Sequence, residues 1–272
     1  MDTLYANPAV PGTQQALPAV NRVPEVDAEF WIIKLLAVTV GETAADFLAV
    51  NLGLGLATTT LLMSVVLIAA LGLQFDVKRY LPWRYWFTVV LVSVVGTLIT
   101  DNLVDTFGVP LEVTTTVTAA LLALTFIVWF AYEHTLSIHT IFTTRREAFY
   151  WAAILLTFAL GTGVGDYVAE AAGLGYLTTG LLFGAIIALI AAAYFLLHLN
   201  AVFAFWAAYI LTRPLGASLG DLLSQPREYG GLGLGTVVTS AIFLTAIGAL
   251  VVWMSVKGFT GRAKWTAPQT AD

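Results

Sequence analysis

From Glu29 to Gly258 the chain alternates long apolar runs with short polar breaks. The runs cover residues 29–50, 55–75, 84–106, 110–132, 148–171, 176–197, 201–224 and 235–256. A helix of about 20 residues, rising about 1.5 Å each, crosses the roughly 30 Å hydrocarbon core of a bilayer. Eight transmembrane helices are therefore expected. Runs such as LLMSVVLIAALGL do not alternate apolar and polar residues, which excludes a closed β-barrel, the other fold able to span a membrane. Residues 1–28 are polar and Pro-rich and lack the basic-then-apolar pattern of a signal peptide. They are expected to form a flexible cytoplasmic tail, residues 29–258 a single membrane domain, and residues 259–272 a second cytoplasmic tail.

Composition narrows the class. Hydrophobic residues make up 59% of the 272 positions and charged residues only 11%. Ordinary soluble domains are about 45–50% apolar and about 25% charged. A soluble enzyme and a nucleic-acid-binding domain are excluded as descriptions of the whole chain. The absence of cysteine removes disulfides, thiolate metal sites and a Cys nucleophile. Basic residues set the orientation. Arg22, Lys34, Lys78, Arg79, Arg84, Arg145, Arg146, Lys257, Arg262 and Lys264 lie in the tails, in alternate loops or at adjoining helix ends, against Arg227 alone in the other loops. This positive-inside bias places both termini in the cytoplasm of a multi-pass inner (plasma) membrane protein. Lys34 is close enough to the inner surface to snorkel there.

An internal repeat organises the spans. Phe30-Trp31, Tyr85-Trp86, Tyr150-Trp151 and Phe205-Trp206 are each followed by a glycine ten residues after the Trp (Gly41, Gly96, Gly161, Gly216). Five residues further on stands an aspartate: Asp46, Asp101, Asp166, Asp221. Each copy continues through a Gly-containing turn into a second helix that opens with threonines, Thr58-Thr59 and Thr178-Thr179 in copies one and three. The copies cover residues 29–83, 84–147, 148–200 and 201–258. A unit that crosses twice returns to its starting side, so the fold expected is all-α, with four parallel two-helix repeats related by pseudo-symmetry about the membrane normal.

The segments FW…GETAAD and YW…GTGVGD resemble a family of bacterial integral membrane proteins with four tandem two-span repeats, each marked by a characteristic Trp and catalogued as a domain of unknown function. The resemblance runs from about Glu29 to Gly258. It implies the fold and the membrane location and carries no activity.

The motif also has a direct physical reading. Helical rise puts Gly about 15 Å and Asp about 22 Å from the Trp. Trp31, Trp86, Trp151 and Trp206 then read as an interfacial aromatic belt, and Gly41, Gly96, Gly161 and Gly216 as midplane sites of close helix approach. An intramembrane carboxylate costs about 2.5–3.5 kcal/mol even on lenient scales. Four at one depth call for pairing, protonation or a bound cation. Glu42, Asp105 and Glu170 lie one turn from the motif aspartates, and Thr58 and Thr178 return to similar depth. Carboxylate and hydroxyl oxygens suit hard cations. A divalent cation held by Asp46, Asp101, Asp166 and Asp221 is the cofactor or cargo expected.

Arg213 falls inside the seventh span just before Pro214. A mid-span Arg needs a partner, and depth arithmetic offers Glu42, which would close repeat four onto repeat one. No P-loop, G-x-S-x-G or H-E-x-x-H motif is present, so the chain is read as non-enzymatic. The leading functional expectation is a transporter or exporter of a small hard cation, a divalent metal such as manganese or a proton-coupled ion. The lipid bilayer and the cation or proton are its partners, and one monomer suffices to enclose the pathway, with an oligomer also allowed. The alternative is a non-catalytic scaffold or sensor whose four aspartates are structural helix–helix hydrogen-bonding groups.

Overall fold

Asp27 starts the first helix, its carboxylate accepting a 2.8 Å hydrogen bond from the Phe30 N–H. The computed structural model describes residues 20–265, over which the chain forms eight long helices. They are α1 Ala28–Asp46, α2 Leu56–Phe75, α3 Pro82–Asp101, α4 Leu111–Glu133, α5 Thr144–Asp166, α6 Tyr176–Leu197, α7 Ala201–Ser224 and α8 Thr236–Trp265. Pro82 opens α3 with its φ already set, and Thr143 and Asn200 cap α5 and α7 with side-chain oxygens.

The turn after each inner helix follows from its sequence. Beyond Asp46, Asp101 and Asp166 the helix widens into one π turn, closed by N–H groups of Leu52, Phe107 and Ala172 donating to carbonyls five residues back. In copies one, three and four the chain then reverses through Gly-Leu-Gly. Gly53, Gly55, Gly173, Gly175, Gly233 and Gly235 all have φ between 69° and 77°, a region that residues with a Cβ rarely enter. In copy four α7 instead stays α-helical to Ser224, and an inserted loop replaces the π turn.

The eight helices form two concentric layers. Helices α1, α3, α5 and α7 make a closed inner ring, each packing on the next and α7 on α1. The outer helices are displaced by one repeat: α2 packs on α3, α4 on α5, α6 on α7 and α8 on α1. The outward faces of the outer helices are hydrocarbon, with Leu61, Val65, Ile68, Ile127, Leu181, Leu189, Phe195 and Val252 exposed. So large an apolar coat is consistent with a multi-pass membrane protein.

Seven helices, α2 to α8, are long and apolar enough to cross a membrane. The eighth expected span, α1, falls outside that set because Glu29, Lys34, Glu42 and Asp46 interrupt it. It nevertheless fills one of the four equivalent places in the inner ring.

Between apolar helices of this kind, close packing and hydrogen bonds carry the association. The motif glycines supply the close packing, each meeting the residue three before the next repeat's glycine. A methyl group at Gly41 would overlap Ser93, at Gly96 Phe158, at Gly161 Arg213 and at Gly216 Val38. The four contacts are the same contact made in turn around the ring. Hydroxyls reinforce it: Thr100 Oγ1 donates to the Ala159 carbonyl at 2.9 Å and Thr39 Oγ1 to that of Gly216 at 3.3 Å.

The aromatic pairs close the ring a second time. Phe30 packs on Trp86 (ring centroids 5.6 Å apart), Tyr85 on Trp151 (5.5 Å), Tyr150 on Trp206 (6.2 Å) and Phe205 on Trp31 (5.8 Å). The first aromatic of each copy thus touches the Trp of the next. Phe30, Tyr85 and Tyr150 are fully buried, and Trp86, Trp151 and Trp206 nearly so. Three of the four tryptophans expected in an interfacial belt thus lie in a packed internal layer, and Trp31 is half-buried at its edge. The face of the helix, which depth arithmetic does not give, decides between the two.

Two further expectations change. Residues 20–27, assigned to the flexible tail, pack against the bundle, with Arg22 and Val23 buried. Helix α8 continues to Trp265, past the expected start of the C-terminal tail. The remainder of both tails lies outside the described residues.

Candidate functional site: a buried charge pair tied to every repeat

Inside the ring, two turns before Asp221 on the side of the aromatic layer, Arg213 is 0% exposed. Pro214 follows it within α7. Arg213 Nη1 lies 3.0 Å from Glu42 Oε2. Its Nη2 donates to Thr162 Oγ1 at 2.7 Å and also to Thr97 Oγ1. Thr97 in turn donates to Glu42 at 3.3 Å. Glu42, Thr97 and Thr162 occupy one motif position, four residues before the aspartate, in repeats one, two and three. The fourth repeat has Ala217 there, a side chain too small to fill the centre. Arg213 reaches into that space from one turn below. A single guanidinium is thereby bonded to each of the other three repeats, and its far face lies over the Phe158 ring at 5.6 Å.

Lys34 lies two turns before Glu42 on α1 and is also 0% exposed. It does not snorkel. Its Nζ donates to the Tyr209 carbonyl at 2.6 Å and to Thr212 Oγ1, and sits 3.9 Å above the Tyr209 ring. The missing signal is the partner chemistry: a carbonyl and a ring face satisfy this ammonium, and neither leaves a charged residue in the sequence. Beyond Lys34 the Tyr85 and Tyr150 hydroxyls meet at 2.5 Å. Buried polar groups thus follow one another through the ring from Glu42 to the aromatic layer.

The aspartates are placed differently from the expectation of a shared cation. Asp221 is buried, and Asp46, Asp101 and Asp166 are half-buried. Among the described residues none of their carboxylates takes part in a side-chain hydrogen bond. Glu42 is within electrostatic reach of all four. No group of three or more His, Asp or Glu among the described residues comes close enough together to hold a metal ion. That overturns the divalent cation expected on Asp46, Asp101, Asp166 and Asp221: one carboxylate per helix around a ring stands too far from its counterparts to coordinate one ion.

The secondary ligands separate too. Asp105 and Glu170 are exposed on the π turns, where Glu170 accepts from the Tyr176 hydroxyl at 3.0 Å. Thr58 and Thr178 face outward, while their neighbours Thr59 and Thr179 are buried, as are Thr114 and Thr239 at the equivalent place. One residue along a helix is about 100° of rotation, so choosing the wrong member of a Thr-Thr pair exchanges the inner face for the outer one.

A family model described as Repeat of Unknown Function (DUF347) matches residues 30–80, 84–135, 149–199 and 204–259. The chain belongs to this family. Each match spans one inner and one outer helix, so a DUF347 repeat in this chain is a helical hairpin whose outer helix serves its neighbour. No curated protein and no solved structure matches the chain.

Proposed function

We propose that the protein is a non-catalytic membrane scaffold or sensor, with all eight helices crossing the inner (plasma) membrane, the repeats related about the membrane normal and both termini cytoplasmic. The observation that supports this reading is Arg213, wholly buried and bonded to Glu42, Thr97 and Thr162. A guanidinium held from three sides fills the centre of the ring and fixes the four repeats to one another. The helix–helix hydrogen bonding assigned to the aspartates belongs in this reading to the layer one turn inward. The aspartates then form an acidic mouth on the extracytoplasmic side.

A proton pathway is the second reading, favoured by the succession of Glu42, Arg213 and Lys34 buried inside the ring. Reconstitution separates the two. Purified protein in proteoliposomes, under an imposed proton or alkali-cation gradient, is expected to show flux no greater than protein-free vesicles. Flux that the protein accelerates and Asp166→Asn abolishes would overturn the scaffold reading.

A further inference from the structure

Arg22 and Glu147 stand 125 positions apart in the sequence and form a buried ion pair. Arg22 Nη1 lies 2.8 Å from Glu147 Oε2, their side chains 6% and 0% exposed. The same nitrogen donates to Thr144 Oγ1 at 3.1 Å, and Gln74 Nε2 donates to the other Glu147 oxygen at 3.1 Å. The segment around Arg22 is held along its length. The Arg22 N–H donates to the Ile141 carbonyl at 3.1 Å. The Asn21 amide donates to the Ile138 carbonyl and its oxygen accepts from the Ile141 N–H. On the other side the Tyr80 N–H donates to the Asn21 carbonyl at 3.2 Å. Val23, 2% exposed, inserts into the core cluster that contains Tyr85 and Tyr150.

The path of this segment gives it its significance. Helices α1 and α5 stand opposite each other in the inner ring, each packing on α3 and α7. Residues 20–27 run from the α4–α5 connection and the first turn of α5, past the α2–α3 connection, to Asp27 at the start of α1. They join two repeats on opposite sides of the ring, at the end that carries the basic residues. Both anchor points lead directly into the aromatic layer: Asp27 caps the Phe30 N–H, and Glu147 precedes Tyr150 by one helical turn.

We propose that residues 20–27 are a releasable latch across the basic end of the bundle, with the Arg22–Glu147 pair as its catch. An apolar residue in place of each charge would close the same gap permanently. A buried ion pair is no stronger than such packing, but it admits one partner and comes apart when either charge is lost or drawn away. The catch is also incompletely satisfied, because Arg22 Nε and Gln74 Oε1 are buried with no hydrogen-bond partner. Unmet groups of this kind lower the cost of opening. When the latch lifts, α1 and α5 lose their tie across the ring and the aromatic layer is open to rearrangement from that end.

The absence of native cysteine makes the test clean. Val23→Cys is introduced into the full chain, which is purified into lipid nanodiscs with both faces reachable and treated with a membrane-impermeant maleimide. The thiol introduced at position 23 is expected to react slowly, and at least tenfold faster when Glu147→Gln is added. Arg22→Gln, which removes the charge from the strap and leaves the helices untouched, is expected to give the same rise. Val89→Cys, on α3 in the same cluster, reports on the core and is expected to stay protected in every background. Equal labelling rates for Val23→Cys with and without Glu147→Gln overturn the latch. So does a Val89→Cys thiol that opens in step with the one on the strap, because the pair is then a support of the whole fold.

Discussion

Arg213 stands where Phe158 stands one repeat earlier, three residues before the motif glycine, and each packs against the glycine of the preceding repeat. At that position the first two repeats carry Val38 and Ser93. One structural slot, filled four times around the ring, thus holds two apolar side chains, a hydroxyl and a cation. The slot is a matter of packing, and the charge is an addition peculiar to the fourth copy.

If the slot works by close approach, its glycines do not tolerate a methyl group. Gly96→Ala and Gly161→Ala are expected to destabilise the protein by about 1–3 kcal/mol, the usual cost of forcing extra volume into a packed core. Gly248, with nothing within 4 Å of an added Cβ, is the control. Gly248→Ala is expected to be neutral or to gain up to about 1 kcal/mol from helix propensity. Thermal unfolding in detergent checks all three, and equal losses at Gly161 and Gly248 would refute the packing account.

The central pair behaves as a unit. Glu42→Gln leaves the buried Arg213 charge without its counter-ion and is expected to cost about 3–5 kcal/mol. Glu42→Leu combined with Arg213→Met is expected to recover most of that loss. Thr97 and Thr162 keep acceptors in the Ser93 and Phe158 carbonyls, at 3.3 and 3.2 Å, when the guanidinium is gone. A double-mutant cycle measures the coupling, and a double variant no more stable than the single one would show that the guanidinium is needed for itself.

The two tyrosines of the aromatic layer make a parallel case. Phe30 and Phe205 fill the same motif position in repeats one and four without hydroxyls. Tyr85→Phe alone leaves the Tyr150 hydroxyl buried without its partner, at an expected cost of about 1–3 kcal/mol. Tyr85→Phe with Tyr150→Phe is expected to lie within about 1 kcal/mol of the parent. The melting temperatures of the two single variants and the double variant decide it.

Much of the repeat is legible along the chain because its signals are local and fourfold. The Trp, Gly and Asp spacings survive in every copy, and the apolar runs correspond to α2 through α8. What the chain does not display is the stagger between repeats. That Gly161 meets Arg213, or that Phe30 meets Trp86, depends on the angle at which two helices cross, and neither residue of a pair announces the other. Rotation is the second blind spot. It separates buried Thr59 from outward-facing Thr58 and puts Trp86, Trp151 and Trp206 in an internal layer. Lys34 fails for a third reason, since its partners are a carbonyl and a ring. The shared cation fails because matching positions in four helices of a ring need not converge on one place.

The one-repeat displacement of the outer helices has a consequence for how the protein is made. Helix α1, which carries Glu29, Lys34, Glu42 and Asp46, packs on α3, α7 and α8. Synthesis proceeds from the N-terminus, so two of its three neighbours, α7 and α8, emerge well after it. Helix α1 is therefore fully housed only once α7 and α8 have followed it, and until α7 arrives Glu42 has no Arg213 to face.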